Sequence, residues 1–194
     1  MSNFDRPRRL VAAQRSDGTS YFVEISDVEQ VDYAKHYRRH AAASQRWSDI
    51  YRLWAADHLP VELPSDGRSV PIAAADPGDV SAALRGSSPH PPDGDGFRIS
   101  MIRMYPRPDG GANPVGLHWH DTFDCQCLVE GRLEVTMDDG STVLMEPGDS
   151  LLQFGTNHAW RVVGDTPAVI LLFMLGARRV GRTPPADRQV VARP

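Results

Sequence analysis

The chain has 194 residues, 41% of them apolar and 24% charged, ordinary proportions for a water-soluble globular protein large enough to bury a core without disulfide or metal staples. Its formal net charge is −4, and no basic run offsets it, which argues against nucleic acid as the main partner. The longest apolar run, Ala168 to Leu175, is far too short to span a bilayer, and the start Met-Ser-Asn-Phe-Asp-Arg lacks the apolar stretch of a secretory signal, so a cytoplasmic protein with no membrane partner is expected.

In chain order, residues 9–25 read as a strand pair around the turn Asp17-Gly18. Ser26 with Glu29 three residues later is a capping-box pattern, and Val28, Val31, Ala34, Tyr37 and Ala41 recur at helical spacing, which predicts a helix over 27–45. Tyr33, Tyr37 and Trp47 would pack it on the main body or a partner subunit, with a substrate lid as the alternative. A strand over 49–54 follows. Residues 59–96 are dense in Pro, Gly, Ser and Asp, which oppose both helix and sheet, so a long loop with one short helix near 79–85 is expected.

From Phe97 the pattern changes to closely spaced strands: 97–105, 116–120, 124–130, 132–137, 141–145, 150–154, 158–163 and 168–176. Asp138-Asp139-Gly140 is a strong hairpin signal, and Gly131, Gly148, Gly155 and Gly164 punctuate the rest. Short strands at this spacing predict an all-β antiparallel sandwich or barrel. The organisation expected is an N-terminal region, 1–96, packing on a barrel core, 97–176, with a polar tail, 177–194.

The chemistry concentrates in GLHWHDTFDCQCLVEG and EPGDSLLQFGTNHAW. Side chains two apart on a strand share a face, so His118 and His120 aim two imidazoles at one point while Trp119 faces away. Six extended residues would carry Asp124 roughly 20 Å from His118, so its joining them requires a bend at 121–123. His158 arrives from another strand and completes a three-His, one-carboxylate shell suited to one first-row divalent metal, with positions left for water or substrate. Gln126, on the same face as Asp124, is the best candidate to contact a substrate; Gln153 and Trp160 are weaker ones. Arg103, on a strand bordering the site, is a candidate for a substrate carboxylate or enolate, its alternative being an exposed strand arginine. Cys125 and Cys127 fall on the face opposite Asp124 and are expected as reduced side chains packed in the core.

These segments resemble the cupin family. The first cupin motif runs His-x-His, three or four residues, an acidic residue, six residues, Gly; here it reads His118-Trp119-His120, three residues, Asp124, six residues, Gly131. The second is matched by Pro147-Gly148-Asp149 and His158, and the likeness spans roughly 97–176. Cupins usually carry Glu where this chain has Asp124. The resemblance implies a single jelly-roll barrel, since the histidine motif occurs once, and a metal drawn from Fe, Mn, Ni and Zn. It also implies a homodimer and a small-molecule substrate, as in single-domain bacterial and fungal cupins of small-molecule and secondary metabolism. Decarboxylase, dehydratase, isomerase and dioxygenase chemistry all fit a metalloenzyme of this kind. The alternative is a non-catalytic barrel that binds a small ligand.

Overall fold

A computed structural model describes residues 6–14, 17–28, 30, 48–56, 96–113, 116–178 and 180. Among these, all ten regular elements are strands: β1 Arg8–Gln14, β2 Ser20–Asp27, β3 Ser48–Ala56, β4 Phe97–Met104, β5 Thr122–Glu130, β6 Leu133–Met137, β7 Thr142–Met145, β8 Ser150–Phe154, β9 His158–Val162 and β10 Ala168–Gly176. β1 and β2 form a separate antiparallel pair; the others form a five-stranded sheet in the order β3-β4-β10-β5-β8 and a three-stranded sheet in the order β7-β6-β9. Every pairing is antiparallel. No helix among the described residues is long and apolar enough to cross a membrane.

The turn residues act as the sequence predicts. Gly140 takes φ 81° and donates to Met137 O at 3.0 Å, while Asp139 Oδ1 accepts the Ser141 amide at 2.9 Å, closing the β6–β7 hairpin. At Pro147-Gly148-Asp149, Asp149 Oδ2 accepts the Glu146 amide at 2.8 Å. The same turn is tied to β5 by Gly148 N to Leu128 O at 2.9 Å and Leu128 N to Asp149 O at 3.0 Å. Gly131 has φ 77°, and a Cβ there would lie 2.4 Å from Pro167 O, so this position admits only glycine.

Three expectations need correction. Residues 116–120 form no strand: Gly116 turns back at φ 66°, and only His118 bridges, to His158. The predicted helix does not start at Asp27, which is the last residue of β2, and Gln30 bridges Tyr51; residues 31–45 of it, like the predicted loop over 59–95, lie outside the described residues. Cys125 and Cys127 do lie opposite Asp124, as alternation requires, but that face is the outer one. Both are free and only half-buried, with Cys127 Sγ 3.2 Å from Ser150 Oγ and the 67% exposed Phe154 on the same sheet face.

Register shows how the interior of the large sheet is filled. Cross-strand partners share a face, and successive rows run Ile50, Ile102, Ile170, Leu128; then Arg52, Ser100, Leu172, Gln126, Leu151; then Arg98, Met174, Asp124, Gln153. Leu128 and Ile170 of the first row belong to an apolar core with Met104, Leu133, Val135, Met145, Trp160 and Ala168, and Ile102 packs against it. Across two pleats the interior changes from aliphatic to polar.

Candidate metal centre

The polar end collects residues from three separate strand termini. Asp124 stands near the start of β5, Gln153 near the end of β8 and His158 at the start of β9. The β8–β9 turn is held against β5 by Gly155 N donating to Thr122 O at 3.0 Å. His118 is docked on His158 by two backbone hydrogen bonds, 3.0 and 2.9 Å, and their rings lie 4.4 Å apart between centroids. The His120 ring is 5.3 Å from that of His118. Trp119 is buried, and Trp160 sets its ring edge-on to His158 at 5.4 Å.

The tautomers of two imidazoles follow from their partners. Nδ1 of His118 lies 2.9 Å from Gly116 O, and Nδ1 of His158 lies 2.9 Å from Thr156 O. A carbonyl can only accept, so each Nδ1 carries the proton and each Nε2 keeps its lone pair for a metal or a ligand donor. Burial pushes His118 below the ordinary histidine range and pushes His158 down to about 3, with the His118 charge acting in the same direction. Both rings are therefore neutral at physiological pH, the form that binds metal.

Asp124 is 5% exposed, and its Oδ1 has no hydrogen-bond partner. Burial raises its carboxyl to about pKa 6, with the Thr122 hydroxyl acting the other way. A buried carboxylate with an orphan oxygen is a group in want of a cation. Imidazole Nε2 lone pairs and a carboxylate make a donor set that fits a first-row divalent metal. Their side chains have not converged on a common point: among the described residues, no group of three or more His, Cys, Asp or Glu is placed to hold a metal ion. The register also places a residue the sequence did not single out. Arg98 is 5% exposed and shares the interior row of Asp124, whereas Arg103 pairs with Asp49 on the opposite face. With Ile102 and Met104 packed on the core, Arg103 between them lies on the opposite face, half-buried in a row with the buried Asp49 and Val169. Strand parity relative to the core, which sequence alone does not supply, separates the two arginines.

The Cupin_2 family model, described as a cupin domain, matches residues 107–174. "Oryzines biosynthesis cluster protein J" of Aspergillus oryzae is 44% identical over 163 residues, covering 82% of this chain and 76% of that protein. The chain is a cupin. A shorter match, 29% identical over 62 residues, links it to "Phomopsin biosynthesis cluster protein C'" of Diaporthe leptostromiformis and spans 32% of each chain. Among solved structures, a sugar phosphate isomerase of the cupin superfamily from Silicibacter pomeroyi aligns with TM-score 0.35 and 23% identity over 41% of this chain and 50% of that one. This cupin also has a cavity of about 300 Å³ between β7 and β8, lined by Val135, Met137, Val143, Met145 and Leu151 with a rim of Ser141, Asp149 and Ser150. Met137 is the register partner of His158, and Leu151 that of Gln126, so this apolar space adjoins the polar end.

Proposed function

We propose that this cupin is a metal-dependent enzyme acting on a small oxygenated organic molecule, with His118, His120 and His158 as ligands and Asp124 as the fourth. The observation that carries the reading is the pair of docked imidazoles, His158 buried and His118 partly so, whose Nδ1 protons are committed to backbone carbonyls, leaving both Nε2 atoms as donors. A bound divalent metal, from among Fe, Mn, Ni and Zn, would supply Lewis-acid polarisation or, if ferrous iron, oxygen activation. The chain's own part is to orient and to exclude water. Gln126 presents a buried amide to a ligand oxygen without adding charge, and the apolar slot between β7 and β8 accepts the carbon skeleton. Decarboxylation, dehydration, isomerisation and dioxygenation are the reaction types this arrangement serves. The fungal relative named for a biosynthesis cluster supports small-molecule metabolism as the setting. A homodimer in the cytoplasm completes the reading.

Elemental analysis of protein purified without chelator or tag metal tests it. The expected result is close to one first-row metal per chain, and loss of that metal in His120→Ala while the fold persists. A chain that purifies folded and metal-free, and stays so after incubation with each of the four metals, would overturn the proposal.

A further inference from the structure

We infer that Gln126 and Gln153 form an amide clasp that holds a neutral hydroxyl group of the ligand beside Asp124. The two side chains belong to adjacent rows of the β5–β8 pair, and each is 2% exposed. Gln126 Nε2 donates to Gln153 Oε1 at 2.7 Å. That single bond leaves Gln126 Oε1 and Gln153 Nε2 buried without hydrogen-bond partners. Exchanging O and N in both amides reverses the bond but still leaves one acceptor and one donor, so the inference survives the ambiguity of amide orientation. Each orphan opposes folding unless something satisfies it.

A hydroxyl group is the complement of this pair, because it accepts from the free N–H and donates to the free oxygen at once. A carboxylate accepts only. It would leave the Gln126 oxygen unsatisfied and would face a second lone acceptor, Asp124 Oδ1, on the neighbouring position of β5. An ether accepts but cannot donate. The clasp therefore selects an alcohol or polyol over an acid or an ether at this spot, and Gln153 acts as a specificity-determining residue with Gln126. The inference rests on the placement of the ligand in the barrel interior proposed above, and narrows the substrate class to hydroxylated molecules.

The test uses glycerol, its trimethyl ether and acetate as probes, with contact to the full chain followed by saturation-transfer NMR in metal-free and metal-loaded protein. Glycerol is expected to bind in both states and the other two to bind about tenfold or more weakly. Gln153→Met should weaken glycerol about tenfold with metal content unchanged. Should that single variant fail to fold, the double variant Gln126→Met/Gln153→Met removes both orphans together and is expected to fold at least as well as the parent, again without glycerol binding. Equal binding of glycerol and its ether, or a double variant that loses stability yet retains glycerol, would overturn the clasp. Discrimination among the probes in a chain that takes up no metal would sustain the clasp while ending the metalloenzyme reading.

Discussion

The two ends of the barrel interior are built on the same strands and obey opposite rules. At one end Leu128, Leu133 and Ala168 are 1% exposed or less and pack with Met104, Val135 and Ile170. Burying each large aliphatic side chain there contributes about 1.5–3 kcal/mol. At the other end, four residues along β5 from Leu128, the same inner face holds Asp124 and then Gln153, with orphaned polar atoms on Asp124, Gln126, Gln153 and Asn157. Those groups oppose folding unless something satisfies them. A sheet whose aliphatic rows hold it together can keep a row that is unfavourable by itself, and such local conflict with the rules of stability marks a site.

The contrast is broken most sharply at the apolar end. Leu128→Ala should cost about 4 kcal/mol, within the range for a fully buried leucine, as measured by chemical denaturation. A loss near that of an exposed position would mean the core lies elsewhere. Gly131→Ala tests the β5–β6 turn that joins the two sheets: positive φ and the clash with Pro167 O together should cost about 3 kcal/mol.

The polar end should show the opposite sign. Asp124 has its carboxyl raised to about 6 by burial, so the folded chain holds this proton more tightly than the unfolded one between 3.8 and 6. Its contribution favours folding at acid pH and is lost as pH rises through 6. Asp124→Asn in the metal-free protein is therefore expected to be stabilising by about 3 kcal/mol above neutrality and close to neutral below the ordinary carboxylate range. His158, depressed to about 3, works against this: its contribution is present above 6.5 and declines as pH falls toward 3, by about 1.4 kcal/mol per unit. The two slopes oppose each other between about 4 and 6 in the parent chain. Asp124→Asn should thus expose a steeper acid loss, visible in denaturation midpoints across that window; an unchanged pH profile would contradict the burial of both groups.

How much of this was legible in the sequence differs by level. Strands bounded by turn residues were placed to the residue, as at Ser150–Phe154 and Ala168–Gly176, because glycine, proline and aspartate end strands by local backbone chemistry. The motif spacing suggested that His118 and His158 come together but not that their backbones bridge, and the segment 116–120 was not legible as irregular, since one bridge and a positive-φ glycine leave little trace in apolar pattern. Alternation correctly set Cys125 and Cys127 opposite Asp124, yet it names two faces without saying which is inward. The inward face here is the polar one near the histidines, contrary to the usual expectation. Arg98 and Arg103 differ in parity, and only pairing with β10 reveals which belongs with Asp124.

The smallest expected effect follows from that reversed face. Cys125 and Cys127 are half-buried on the outer surface of β5, beside the partly exposed Leu152 and Phe154, so a thiol reagent should reach both in the folded protein. Partial burial, with Cys127 as neighbour, raises the Cys125 thiol, which keeps its thiolate fraction low at neutral pH. Labelling by iodoacetamide, followed by mass spectrometry, should consequently be slow near neutrality, accelerate with pH in the folded chain, and gain little more on unfolding. A large burst of labelling only after denaturant is added would return the cysteines to the interior. It would then put Asp124 and Gln126 on the outside of the barrel, which ties this modest measurement to the identity of the site itself.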